Sequence, residues 1–143
     1  MKRAGFTMIE LIFVIVILGI LSAVALPKFI GVSEQAKAGK CKAFIGTLDR
    51  TVFPAIWSNM VLNDINETTA FTATTIGDQI EAPAECAKTG TAAGATQATI
   101  LADYATAANA GTSFTVTVGG TVYDVNATKA TTNVSPTLTW TKQ

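Results

Sequence analysis

The sequence predicts an α+β chain in which a long N-terminal helix packs on a small C-terminal antiparallel β-sheet. Residues 6–26 form an almost unbroken apolar run, and apolar residues then recur at three- and four-residue spacing, a pattern typical of helix. Residues 112–143 instead alternate apolar and polar side chains around a Gly-Gly turn, which is typical of a β-hairpin. An apolar helix face and an apolar sheet face must each be buried, so the two predict one another.

The composition excludes several classes of function. The chain has 143 residues, enough for one modest globular domain besides the apolar run, and its ten basic and ten acidic side chains give a formal net charge of zero. With that balance, no nucleic-acid site is evident, because nothing suggests a strong electrostatic attraction to nucleic acid. The chain contains no histidine, the commonest general base and transition-metal ligand, and it shows no phosphate loop, nucleophile elbow or complete calcium loop. We therefore expect no enzymatic activity, no metal site and no cofactor.

The apolar run over residues 6–26 has about the length of a membrane-spanning helix. Glu10 is the only ionisable side chain in it, and a carboxylate inside a membrane is costly enough to suggest a function. Lys2 and Arg3 precede the run, so the positive-inside tendency places the N-terminus in the cytoplasm and the rest of the chain outside it.

The N-terminal motif combines the basic segment Lys2–Gly5 with Phe6–Glu10 and the apolar run. It resembles the type IV prepilin family, which includes the pseudopilins of type II secretion, over roughly the first fifty residues. The resemblance implies a lollipop-shaped pilin fold and a leader, residues 1–5, removed by prepilin peptidase after Gly5. It also implies that Phe6 becomes the new N-terminus and is N-methylated. A single-pass precursor in the inner membrane would then polymerise with its own copies on an assembly platform, giving a cell-surface or periplasmic filament.

Glu10 is the candidate assembly residue. After cleavage the amine of Phe6 is free, about 6 Å from Glu10 along the helix. In a staggered bundle a neighbour's amine can meet this carboxylate, and an unpaired charge in the apolar core is strongly penalised, so the pair would set the register. The alternative is that Glu10 only reaches towards the cytoplasmic interface.

Other functions stay open from the sequence alone. The filament could be a type II secretion or DNA-uptake pseudopilus, although the C-terminal calcium-binding pattern of the major secretion pseudopilin is not evident, which favours a true pilin. A single-span anchored binding domain that never polymerises would need neither Gly5 nor Glu10. An exported soluble domain could be cut at Ser22–Ala25, but this leaves Glu10 unexplained.

Residues 27–56 are predicted to continue the helix in amphipathic form, with Pro54 ending or kinking it. In the prepilin family the helix often melts during assembly between a glycine and a proline placed like Gly19 and Pro27; the alternative here is a simple kink. The apolar face is formed by Cys41, Phe44, Ile45, Leu48, Val52 and Ile56.

Cys41 and Cys86 lie outside the cytoplasm in this topology, where two cysteines most simply form one disulfide, although two free thiols remain the alternative. A zinc site would need two further ligands. Residues 57–111 are rich in Thr and Ala and carry several turn signals, so we expect a loop region with one short helix over 97–109, stopped by Gly111.

The C-terminal strands are predicted over 113–118, 121–125 and 137–142, with Gly119-Gly120 as the turn between the first two. A two-residue turn pairs Val118 with Thr121. Paired residues point to the same side of the hairpin, and on this side most of them are apolar. The other expected pairs are Val116 with Tyr123 and Phe114 with Val125.

Two segments share the pattern D-x-N-x-T, at Asp64–Thr68 and Asp124–Thr128. Its core is an acceptor for N-glycosylation, and the acidic residue two positions earlier resembles the extended acceptor of bacterial oligosaccharyltransferases. Asn66 and Asn126 are therefore candidate glycosylation sites, with chance in a Thr-rich chain as the alternative.

Overall fold

The computed structural model describes residues 5–91 and 94–143. The chain divides into two compact units, the first ending at Gln35 and the second spanning Ala36–Gln143. The predicted α+β class is confirmed, because a long apolar N-terminal helix is combined with a three-stranded antiparallel sheet near the C-terminus.

The helical run begins with α1, Met8–Thr47, continues through a π-helical turn over Leu48–Val52, and ends with α2, Phe53–Leu62. Of the two effects predicted for Pro54, an end of the helix is wrong, because the helical run continues to Leu62, and a kink stays a prediction. The Phe53 N–H bonds to the carbonyl of Leu48, five residues back, which widens the turn just before the proline. Pro54 therefore lies in the first turn of α2, where its missing N–H is tolerated.

The first unit presents apolar side chains to its surroundings. The large apolar side chains described over residues 6–32 are exposed. Among the described residues, one helical run, Met8–Leu62, is long and apolar enough to cross a membrane by length and composition, a criterion that a signal sequence also meets.

The middle of the chain is more helical than the predicted loop region. Threonine and asparagine side chains supply the helix starts, as when Thr72 and Thr75 form a reciprocal capping box. Gly111, at φ 68°, ends the last of these helices in the left-handed conformation. The elements are α3 Glu67–Ala70, α4 Ala73–Gly77, a 3₁₀ turn Ala84–Cys86, and α5 Gln97–Ala110.

The sheet has the order β1-β2-β3, with all neighbours antiparallel. Its strands are β1 Phe114–Val118, β2 Thr121–Ala127 and β3 Leu138–Lys142. The register of the hairpin is the predicted one, with Phe114 opposite Val125, Val116 opposite Tyr123 and Val118 opposite Thr121.

The core of the second unit joins the apolar face of the helical run to α5 and the inner face of the sheet. Tyr104 of α5 lies at its centre, edge-on to Phe44 and to Phe114, with ring centroids 5.2 and 4.9 Å away. Phe53 and Phe71 make a third edge-on pair at 5.5 Å. Each such pair contributes about 0.5–1.5 kcal/mol beyond the area it buries.

Candidate functional site

Glu10 takes part in the start of the long helix. One oxygen of its carboxylate accepts hydrogen bonds from the backbone N–H and the hydroxyl of Thr7, at 3.3 and 3.2 Å. The Glu10 N–H donates in return to the Thr7 hydroxyl oxygen at 3.3 Å. This T-x-x-E capping box satisfies free amide groups at the helix start. The sequence reasoning missed this role, although a Thr three residues before a Glu is its signal.

The same carboxylate lies in an unusual setting. Glu10 is exposed, and Phe6, four residues earlier, is 85% exposed. The helix that follows is apolar, and its described large side chains as far as Val32 are exposed as well. Glu10 therefore presents a negative charge at one end of a surface that lipid or other protein must cover.

Gly5 has no structural reason to be glycine within the described fold. A Cβ atom built at this position would meet no atom within 4 Å. The remaining residues of the predicted leader, 1–4, lie outside the described residues. Gly19 and Pro27 both lie inside α1, which is helical through both positions. Melting of the helix between them concerns assembly and stays a prediction.

A disulfide joins Cys41 to Cys86, with Cα atoms 5.3 Å apart and both side chains fully buried. It ties the 3₁₀ turn to the helical run across 45 residues of sequence. Next to it, the hydroxyl of Tyr104 donates to the backbone carbonyl of Cys86 at 3.2 Å. Burial, and secondarily the carboxylate of Asp103, raises the pKa of Tyr104 far above its usual value.

The disulfide-bonded segment continues along the sheet. Lys88 forms a β-bridge with Val116, and the Thr89 N–H donates to the carbonyl of Thr115 at 2.7 Å. These bonds cover part of the outer edge of β1, an edge that would otherwise offer unpaired backbone groups.

The two candidate glycosylation residues are exposed. Asn66 is the N-cap of α3, and its side-chain oxygen accepts from the Thr68 N–H and hydroxyl at 3.0 and 2.7 Å. Asn126 lies on β2 opposite Thr139. Glycosylation of either residue stays a prediction. Within residues 5–91 and 94–143, no group of three or more side chains of the metal-binding types comes together.

Comparison with known proteins finds similarity over part of the chain. Residues 1–26 match the family model of the prokaryotic N-terminal methylation motif. Over 43 residues the chain is 49% identical to the Type IV narrow pilus major component PilA5 of Thermus thermophilus, a match that covers 30% of this chain and 37% of that relative. No solved structure matches the chain.

The methylation motif and this relative make part of the chain similar to type IV pilins, as the N-terminal resemblance predicts. The chain spans 37% of the length of this pilus component in the match, so its similarity to a pilus subunit is limited to that part. The match covers 43 residues, so most of the second unit, Ala36–Gln143, is described by its own structure alone.

Proposed function

We propose that this chain is the subunit of a type IV pilus-like filament, made as a single-pass membrane precursor with its N-terminus in the cytoplasm. Prepilin peptidase cuts it after Gly5, the new N-terminus at Phe6 is methylated, and an inner-membrane platform adds it to a homopolymer. The observation that carries this proposal is the exposed carboxylate of Glu10, one turn from Phe6, at the start of an exposed apolar helix.

Burial of the apolar surface supports polymerisation. A helix that is apolar on all sides needs a membrane or the core of an assembly around it. The precursor satisfies this need in lipid, and the filament satisfies it by packing identical helices together. The buried disulfide also fits an external location for the globular unit, because disulfides persist in oxidising compartments. We further propose that α1 melts between Gly19 and Pro27 during this transfer.

Processing is tested by the mass and the N-terminal sequence of the membrane-extracted protein. We expect the mature chain to start at Phe6 and to carry one additional methyl group. Gly5→Val should block the cut without preventing membrane insertion, and the open space at this position means that the fold will accept the larger side chain. A mature N-terminus at Met1 or near Leu26 would contradict the proposal.

Assembly is tested with four variants, three of which separate the two roles of the carboxylate. Glu10→Ala removes both the charge and the cap, Glu10→Gln removes the charge but keeps an oxygen for Thr7, and Thr7→Val removes only the cap partner. We expect Glu10→Ala and Glu10→Gln to lose most sheared filaments while remaining inserted and cleaved. Glu10→Asp should be intermediate, because its reach is shorter by one methylene.

Thr7→Val is the matched control. Loss of a helix cap costs about 1 kcal/mol, which a long helix in a membrane can bear, so this variant should still form filaments. Filament loss in Thr7→Val equal to that in Glu10→Gln would show that Glu10 acts through the cap. Wild-type filament amounts in Glu10→Gln would show that packing of the apolar helices suffices without the charge pair.

Glycosylation is a separate proposal that the exposure of Asn66 and Asn126 permits. Mass spectrometry of peptides from the native protein tests it. Unmodified Asn66 and Asn126, from cells that glycosylate other proteins at such motifs, would remove the proposal.

A further inference from the structure

A groove runs between the helical run and the edge strand β3 of the second unit. Its volume is about 650 Å³, and its lining combines apolar atoms with basic side chains. We call it the basic groove and define it by Gly39, Lys42, Ala43, Gly46, Arg50 and Trp140. Lys142 lines a continuation of it beside Lys42 and Trp140.

The charge of the basic groove is positive. The lining contains three basic side chains, those of Lys42, Arg50 and Lys142, and one carboxylate, that of Asp49. Asp49 already accepts a hydrogen bond from the Leu138 N–H at 2.7 Å. Lys42 and Arg50 are exposed, and neither forms an ion pair within the part of the chain that the structure describes.

Nothing in the chain's own fold requires glycine at two positions in this groove. Gly39 and Gly46 lie inside α1, where glycine costs about 0.5–1 kcal/mol relative to alanine. A Cβ atom at either position would meet no atom within 4 Å. Their lack of side chains leaves the floor of the groove open to close approach by another chain.

The C-terminal end of the helical run carries a surface complementary to this groove. At the end of α2, Val61, Leu62 and Ile65 are 45%, 83% and 38% exposed, although they are large and apolar. Asp64 and Glu67 add two carboxylates to them. We call residues 61–67 the acidic knob. The sequence from 61 to 87 contains five acidic residues and no Lys or Arg.

The acidic knob is held in one conformation before any contact. The Ile65 N–H donates to the carbonyl of Met60 at 3.0 Å, and Asn66 caps the helix that follows. Asp64 adopts a left-handed conformation, φ 53°, which Asp tolerates better than most residues. A preformed loop loses little conformational entropy on binding.

The two surfaces cannot meet within one molecule. Sixteen residues of the helical run separate Gly46 from Leu62, which is about 24 Å at 1.5 Å per residue. Complementary surfaces at different places on the same subunit make a head-to-tail contact, and such a contact extends without closing when the rotation does not form a ring.

We propose that the acidic knob of one subunit docks in the basic groove of a second copy of the chain. Leu62 and Ile65 pack beside Trp140 over the two glycines, while Asp64 and Glu67 meet Lys42 and Arg50. This contact rests on the proposed filament and adds to it a specific contact between the globular units. A glycan on Asn66 would stand in the acidic knob, so a chain modified there does not dock.

A cysteine pair tests the geometry in full-length protein. Ala43→Cys places a thiol on an exposed residue of the groove that already has a side chain, and Leu62→Cys replaces an exposed side chain, so neither change disturbs the fold. The native cysteines are already paired with each other. In filaments of the double variant, a short thiol crosslinker should give a ladder of covalent multimers on non-reducing gels. Each single variant is the matched control and should give dimers at most.

The crosslinking experiment can also overturn the proposal. Filaments of the double variant with only the single-variant pattern overturn the docking contact and leave the proposed function standing. Wild-type cells without any filament overturn both. Adding Glu10→Ala to the double variant should remove the ladder, since precursors that do not assemble do not form the contact with one another.

A charge exchange tests the chemistry. We expect Arg50→Glu and Glu67→Lys each to lower the amount of sheared filament about threefold, the size typical of one exposed ion pair. The double variant should recover it, because the pair is restored with reversed sign. Lys129→Glu, an exposed change outside both surfaces, should have no effect. If the double variant forms even less sheared filament than either single variant, the pairing is overturned.

Discussion

Removing the disulfide should destabilise the globular unit by an amount that follows from the sequence separation of its cysteines. The bond joins residues 45 apart, and in the chain-entropy model a loop of that size is worth about 4 kcal/mol. Domains are stable by about 5–15 kcal/mol in total, so this one bond is a large share. We expect Cys41→Ala/Cys86→Ala to fold but to unfold at a much lower urea concentration.

Tryptophan fluorescence is the appropriate assay in detergent. Trp57 and Trp140, the two tryptophans of the chain, both lie in the second unit, so the signal does not report on the apolar helix. The wild-type chain with its disulfide reduced under unfolding conditions and then refolded is the matched control, because it keeps the core volume of both sulfurs. A double variant within about 1 kcal/mol of the oxidised wild type would refute the entropic reasoning.

Three further predictions concern the same unit. Tyr104→Phe should cost about 1 kcal/mol by removing the bond to Cys86, and should abolish a fall in stability above about pH 10. The sign follows from the raised pKa of Tyr104: the unfolded chain loses this proton first, so stability falls as pH rises, measured as urea midpoints against pH. Asp49→Ala should cost about 1–3 kcal/mol by leaving the Leu138 N–H without its acceptor, whereas Asp49→Asn keeps one and should cost less on the same urea curves. Gly111→Ala should lower the thermal midpoint, with a cost of about 1–2 kcal/mol, because this residue is left-handed and its Cβ would lie 3.0 Å from a backbone nitrogen; an unchanged midpoint would contradict it.

The C-terminal hairpin and the helix that precedes it were predictable because their patterns are local. Period-two alternation and the Gly-Gly turn set the register of the hairpin, and the structure has the predicted pairs. The helix over Gln97–Ala110 is long enough to show its period, and the predicted stop, Gly111, ends it.

The middle of the chain was not predictable in the same way. The helices Glu67–Ala70 and Ala73–Gly77 are too short to show a helical period. Long-range bonds hold this region, such as the one from the Asn109 amide to the carbonyl of Phe71 at 2.9 Å. The passage of the helix through Pro54 depends on a π turn, which leaves no signature in the residue types.

The candidate site was predictable only in part. Glu10 could be found as a single carboxylate in an apolar run, and its capping box could have been read from Thr7, three residues before it. Gly39 and Gly46 look like minor propensity defects in the sequence. Their open surroundings, and the groove beside Trp140, exist only once the helix and the edge strand are brought together.

The two proposed contacts solve different parts of the assembly problem. In the proposed filament, pairing of Glu10 with a neighbour's amine would select the axial register, because other staggers would bury a charge alone. Beyond Glu10, α1 exposes large apolar side chains as far as Val32, so its packing provides little preference for rotation about its own axis. A contact that selects the rotation must come from an asymmetric surface. The basic groove and the acidic knob, defined by charge and by shape, are such a surface, and losing them should give disordered filaments before it gives none.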